Sequence, residues 1–297
     1  MPFYTFKKER YDQRANVMIN DMKVKYNSCE PTGEARIKKS NASSLRLAVI
    51  TNFFYVNPAS YNLTSLEIGN GLEVDSKTTH SRNMEIINTL ASNLKHPYID
   101  EIHILVQDME AGHYLRRMPL GNSRKIVIQV MNHTVEMKMQ LEYAGRCLKD
   151  RIVAIAHQDN FFGDGWGNIT SSVLTKRRLM YALTRHSSHR PCKASKHSFN
   201  CDPGSTYVGS HDVFVFHVKD PFTPDMLKPL DNVTPNLNGM ENVLIWMFEK
   251  KFKYTVLNPC PILIVHHQHC IAIRGKGRKR INTRETTGMV PFTNKLE

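Results

Sequence analysis

Arg151-Ile152-Val153-Ala154-Ile155-Ala156-His157-Gln158-Asp159 is the stretch on which the fold of this chain turns. Its apolar run is too short for a helix and lacks polar alternation, so it suits a strand covered on both faces. Such strands belong to parallel sheets, and in open sheets of that kind ligands sit beyond the carboxyl ends of the strands. His157-Gln158-Asp159-Asn160 occupies that position. The plainer reading is a turn whose Asp and Asn bond their own backbone.

Working outward, the same alternation recurs. Met137, Leu141, Ala144 and Leu148 share one helical face, preceded by a strand in Lys125-Ile126-Val127-Ile128-Gln129-Val130. Before it come a strand at Ile102-His103-Ile104-Leu105-Val106 and a helix carrying Met84, Ile87, Ala91 and Leu94, capped at Ser81 and ended by Pro97. Leu45-Arg46-Leu47-Ala48-Val49-Ile50 opens the core, and a loop with Pro58 and Gly69 to Gly71 follows. Strands alternating with helices predict βαβ units. Downstream of Asp159 the alternation weakens. Leu179-Met180-Tyr181-Ala182-Leu183-Thr184, Val213-Phe214-Val215-Phe216 and Ile262-Leu263-Ile264-Val265 read as strands between loops, with one helix near 240–251. The expected fold is α/β: a mostly parallel central sheet flanked by helices, with a mixed C-terminal half. Residues 1–44 are expected as a polar arm or stem, 45–274 as the folded domain and 275–297 as a basic, mobile tail.

The 297 residues are 41% hydrophobic, enough for a sizeable core. Forty Lys and Arg against 27 Asp and Glu give a formal charge of +13, which attracts polyanions without choosing among nucleic acid, anionic glycan, nucleotide diphosphate and acidic membrane. No RRM, KH, helix-turn-helix or zinc-finger pattern accompanies the charge, so no specific nucleic-acid partner is expected. The six cysteines form no CxxC pair; Cys192 and Cys201 bracket a polar insertion and are equally compatible with a short-loop disulfide and with free thiols. Five glycosylation triplets begin at Asn41, Asn62, Asn132, Asn168 and Asn232, where composition would give roughly one or two. They tilt the expectation toward a Golgi or other secretory-pathway lumen. With no signal-like start and no spanning run, the chain is expected to be cytoplasmic unless its membrane anchor is not part of it.

Several residues could carry chemistry. Asp159 beyond a strand suits a hard divalent cation, and Asp212 in Gly209-Ser210-His211-Asp212 could hold a sugar or acceptor hydroxyl. Glu241 opens a helix in Gly239-Met240-Glu241-Asn242, where the dipole favours its ionised, proton-accepting form. Each also has a structural explanation: a turn, a solvated Asp, a helix-start Glu. In His266-His267-Gln268-His269 alternation puts His267 and His269 on one strand face. A zinc site of His267, His269 and Cys270 is conceivable, although adjacent strand residues point apart. Trp246, Phe248 and Phe252 are expected in the core.

The order of these motifs resembles the GT-A-like nucleotide-diphospho-sugar transferases, a glycosyltransferase family. The resemblance rests on Val153 to Asp159, Tyr181-Ala182-Leu183-Thr184-Arg185, Gly209 to Phe216, Gly239 to Asn242 and Asn258-Pro259-Cys260 through His269, with Arg82 to Leu105 as the amino-terminal half. It implies a GT-A fold, related to the Rossmann type, over most of residues 45–274. It also implies a nucleotide-diphosphate sugar as donor, Mn²⁺ or Mg²⁺ as cofactor, and a glycan, protein or lipid acceptor. Carried onto this chain, the donor contacts are Arg82, Arg185 and Asp159, the metal ligands Asp159, His269 and His157, and the catalytic pair Glu241 and Asp212. His157 is a departure, since the family usually has Asp or Asn there. Phosphate charge could instead meet Arg185 with Lys176, Arg177 and Arg178. Two other classes stay open: an inactive domain of this type that binds anionic glycans, and a basic nucleic-acid-binding protein.

Overall fold

The computed structural model describes residues 23–26, 44–55, 67–68, 72–73, 76–187, 201, 210–235, 237–270, 281 and 287–297. In chain order the elements are β1 (Lys23–Tyr26), β2 (Leu47–Phe53), β3 (Glu67–Ile68), β4 (Leu72–Glu73), α1 (Ser76–Lys95), β5 (Ile99–Val106), α2 (Met109–Arg117), β6 (Ile126–Val130) and α3 (Met137–Cys147). Then come β7 (Ile152–Ala156), β8 (Asn160–Phe162), α4 (Ser171–Arg177), β9 (Leu179–Leu183), β10 (His186–Ser187) and β11 (Val213–His217). The last are α5 (Pro224–Leu227), α6 (Met240–Lys250), β12 (Thr255–Leu257) and β13 (Val265–His267).

The main sheet has the order β1-β6-β5-β2-β7-β11-β9-β12. Its strands are parallel except β11, which runs against both β7 and β9. The mixed C-terminal half therefore comes down to one reversed strand. Successive side chains of a strand face opposite ways, and both faces here are covered. Leu47, Val49, Ala154 and Val215 enter the core under α1, α2 and α4, while Ala48, Ile50, Val153 and Phe216 enter a second core under α3 and α6. Phe248 and Phe252 lie in that second core as expected, with Trp246 packed at its edge beneath Lys251.

Several boundaries differ from expectation, each for a physical reason. Ser81 does not cap a helix, because α1 already begins at Ser76. Its early turns are polar, as a cap would be, but Thr79, Arg82, Asn83 and Glu85 are buried there, and Arg82 and Glu85 face the site described below. The strand expected at 262–265 lies at Val265–His267, because Ile262 and Leu263 turn back to bond the Pro259 carbonyl. Their apolarity reflects burial in a turn. Part of the expected arm is β1, an edge strand parallel to β6. Part of the expected tail is packed: Gly288 N–H donates to the Asn242 carbonyl, Phe292 bridges to Asn258, and the Tyr181 hydroxyl donates to the Leu296 carbonyl. The remainder of both segments lies outside the described residues.

Cys201 does not pair with Cys192, which lies outside the described residues; it is disulfide-bonded to Cys260, 59 positions away. Cys147 and Cys270 are disulfide-bonded as well, and among the described residues no cysteine is free. None of the described helices is long and apolar enough to cross a membrane.

Candidate functional site

The chain moves from β2 to β5 to β6 on one side and returns to place β7 on the other side of β2. Where strand order reverses like this, the connections leaving the carboxyl ends diverge and open a crevice. A small one is present, with a cavity volume of about 20 Å³, between Thr51, Asn52 and Phe53 at the end of β2 and Ala156, His157 and Gln158 at the end of β7. Exposed Phe54 stands at its rim, its N–H bonded to the Gln158 side chain at 2.8 Å.

A small second sheet, β10-β13-β8, stands over this edge and carries the imidazoles. Its register sets His267 opposite Asn160 and His266 opposite Phe161, and the Gln268 N–H donates to the Asp159 carbonyl at 2.8 Å. From the other side α1 presents a polar stripe at helical spacing. The Asn93 amide donates to the Asn160 carbonyl and accepts from the Phe162 N–H, fastening β8 to the helix. Three turns earlier, Arg82 donates from Nη2 to Asp159 Oδ2 at 2.5 Å and from Nη1 to Glu85 Oε2 at 2.9 Å and the Gln268 carbonyl at 3.2 Å. Its Nη2 also lies 3.2 Å from His269 Nδ1. The second Glu85 oxygen accepts the Cys270 N–H at 2.7 Å.

Asp159 is therefore the hub. His269 Nδ1 and His267 Nε2 stand 3.2 and 3.3 Å from its Oδ2. Burial alone would push this carboxyl up; His267, His269 and Arg82 overcome that and hold it well below the usual carboxylate range. His269 is also lowered, first by burial and then by Arg82, against the pull of Asp159. It is neutral near pH 7, and its Nε2 is buried without a partner among the described residues.

Asp212 lies one strand over, at the start of β11. Arg185 donates to its Oδ1 at 2.9 Å and Ser210 to its Oδ2 at 3.3 Å. Burial raises its pKa, but Arg185, His157 and His267 lower it further than Asp159 and burial raise it. Its backbone carbonyl receives His157 N–H and the Asn160 amide, which ties the two acidic turns together. Next to it His211 is fully buried, donating Nε2–H to the Val290 carbonyl, and burial pushes its pKa down to about 4.

The structure thus brings together Arg82, Asp159, Asp212, Arg185 and His269. Among the described residues one set of groups converges as metal ligands would: Asp159, His267 and His269, with ligand atoms within 4.8 Å of one another. His157 and Glu241 stand outside it. Ligands each about 2.0–2.2 Å from a common ion stand about 3–3.5 Å apart, as these do from the carboxylate. Two imidazoles and one ionised carboxylate fit a divalent ion, which would share Oδ2 with Arg82. Cys270 cannot be the thiolate of a zinc site, because it is disulfide-bonded. Glu241 opens α6, whose first turn reaches the Asp212 turn through Gly288 and Val290. Lys176, Arg177 and Arg178, considered above as phosphate partners, lie at the opposite edge of the sheet, between α4 and the amino end of β9. Sequence reasoning missed Glu85 and Asn93. Their signal was the polar series Arg82, Glu85, Thr89 and Asn93 at helical spacing along one side of α1.

No family model matches the chain, and no curated protein does. Among solved structures it is similar to a mannosyltransferase from Pyrobaculum calidifontis in complex with GDP-Man and Mn²⁺, at 9% identity over 79% of this chain and 59% of that one, TM-score 0.40. A Desulfovibrio desulfuricans protein assigned as a nucleotide-diphospho-sugar transferase is 14% identical over 72% of this chain and 79% of that one, TM-score 0.39. TarS 1–349 of S. aureus is 11% identical over 66% and 52%, TM-score 0.31. The chain spans 59% of the length of the mannosyltransferase, and the functional argument below rests on its own residues.

Proposed function

We propose that this chain transfers a sugar from a nucleotide-diphosphate donor to a hydroxyl group of a glycan, protein or lipid acceptor, as a GT-A-like enzyme. The observation that carries this reading is the meeting of Arg82, Asp159, Asp212 and His269, from four separate segments, beside the crevice where strand order reverses. Transfer breaks the bond between the anomeric carbon and the diphosphate oxygen, leaves the electron pair on the diphosphate, and moves the acceptor's hydroxyl proton to a base. The nucleoside would lie over the carboxyl ends of β2 and β7, beside Phe54, because the crevice between them is itself too small to enclose it. Asp159 and its two imidazoles then face the diphosphate. A divalent ion held by Asp159, His267 and His269 would supply positive charge to the leaving group.

Arg82 orients this cluster, because both of its terminal nitrogens are engaged by protein groups. Arg185 keeps Asp212 ionised and aimed, so that it can accept a hydroxyl hydrogen from the sugar or the acceptor. Glu241 is the candidate base for a reaction that inverts configuration. Disulfide-bonded Cys147, Cys201, Cys260 and Cys270 favour an oxidising compartment. Asn132, Asn168 and Asn232 are all exposed, as glycosylation acceptors must be.

A thermal-shift screen of UDP, GDP and CMP sugars, with and without Mn²⁺, tests the reading. A donor at a hundred times its Kd stabilises the fold by about 2.7 kcal/mol, and Asp159→Asn should abolish that shift. Absence of a shift with every nucleotide overturns the proposal.

A further inference from the structure

We infer that the edge of the sheet opposite the candidate site is a docking surface for an anionic polysaccharide. In a parallel α/β fold every helix returns antiparallel to its strands, so all helix carboxyl ends collect at one edge. Here each long helix ends in basic residues: Lys95 in α1, Arg116 and Arg117 in α2, Arg146 in α3, Lys176 and Arg177 in α4, Lys250 in α6. Helix dipoles account for that much. They account for Lys251 too, the C-cap of α6, but not for Lys219 and Lys253, which come from the turns that follow β11 and α6 and join the same face.

Three turns meet there. Arg178 holds them together, donating from Nε to the Phe252 carbonyl at 2.9 Å, pairing with Asp220 at 2.9 Å and stacking 5.0 Å above the Tyr254 ring. Around it stand Lys176, Arg177, Lys219, Lys250, Lys251 and Lys253, all exposed. Two of the nearby acids are already paired, Asp220 with Arg178 and Glu297 with Arg177.

The backbone supplies an independent sign. Of the six described non-glycine residues at positive φ, four are Asn or Asp, the types that tolerate this conformation; the other two are Arg178 at 50° and Lys253 at 59°. Arg178 ends α4 at the left-handed position where glycine is the usual residue, and Lys253 lies in the turn after α6, three residues past Lys250. Arg178 is explained by its three contacts. Lys253 makes no ion pair or hydrogen bond among the described residues, so the chain keeps a strained cation beside like charges with no return to its own fold. Such strain points to a ligand.

Seven cations over three neighbouring turns fit a flexible, repeating anion. The disulfides favour an oxidising compartment, where sulfated and uronic-acid glycans, rather than nucleic acid or the anionic cytoplasmic leaflet, supply that charge. The strands between this face and the candidate site are five residues long, about 17 Å, so the two surfaces can be occupied together.

The test uses a heparin octasaccharide in titration calorimetry over a range of salt. Lys219→Ala/Lys251→Ala/Lys253→Ala should bind about tenfold more weakly, with a salt slope shallower by roughly two to three. Lys77→Ala/Lys138→Ala/Lys228→Ala, equal in charge but elsewhere, should stay within about twofold of wild type. Lys253→Gly is the sharper variant: it should raise the unfolding temperature while weakening binding. Equal losses in the two triple variants would reduce the effect to net charge and overturn the proposal. So would undetectable octasaccharide binding by the wild type, or binding to phosphatidylserine vesicles alone.

Discussion

At the carboxyl edge of the sheet Arg82, Asp159, His267 and His269 form one buried ion cluster; toward its amino edge Arg151, Glu101, His103 and Tyr143 form another. The ingredients match, but the bonding does not. Both ring nitrogens of His103 are engaged, Nδ1 with the Tyr143 hydroxyl at 2.8 Å and Nε2 with Glu101 at 3.2 Å. In the first cluster and its neighbours, His269 Nε2, Asn160 Oδ1 and His211 Nδ1 are buried with no partner among the described residues. An unmet buried polar group is expensive, so a folded chain retains several together where something else completes them. The closed cluster is a structural joint. The open one is the candidate for a ligand.

Arg82→Ala is the strongest way to test that contrast. It leaves the buried carboxylates of Asp159 and Glu85 without their counter-charge, and the expected loss is about 3–5 kcal/mol in a urea titration. Arg151 is a third exposed in its side chain, and Arg151→Ala should cost less than about 1 kcal/mol. Equal losses would mean that burial does not distinguish the clusters. Gly165→Ala comes next. Gly165 has φ of 92°, and an added Cβ would stand 1.7 Å from the Ile262 carbonyl oxygen, in the turn that leads into β13. The strain should cost about 2–3 kcal/mol and displace His267 and His269, abolishing any nucleotide-induced thermal shift. The acid-unfolding profile of the amino-edge cluster should be untouched.

What could be read from the chain beforehand follows the same division. β2, β5, β6, β7, β9 and β11 stand out in the sequence because both faces are covered and the runs are continuously apolar. β8 and β12 have three residues each, too short for any period to show, and α2 is hidden by Gly112 and a charged surface. Asp159, Asp212 and His269 were legible from their places beside strands. The partners that give them their properties were not, because Arg82 meets Asp159 across 77 positions and Glu85 meets Cys270 across 185. Local pattern carries no information about such pairs. The Cys201–Cys260 bridge was hidden for the same reason, since six cysteines allow many pairings.

The closed cluster offers the smallest effect and the cleanest sign. The hydrogen bond from His103 lowers the Glu101 carboxyl, burial opposes it, and Arg151 adds to the lowering, for a pKa of about 2. A carboxyl depressed in the folded state stabilises the fold fully above its unfolded value, near 4.5, and loses that contribution as pH falls toward 2. Glu101→Gln should therefore lower stability at pH 7 by about 1 kcal/mol, a figure kept small because solvent reaches the group. It should cost progressively less as the pH is lowered through that window, so the wild-type and variant curves converge near pH 2. A constant offset at every pH would assign the loss to packing around Tyr143. It would also leave Asp159, whose carboxyl is held low by groups at the candidate site, as the principal acid-sensitive joint of the two.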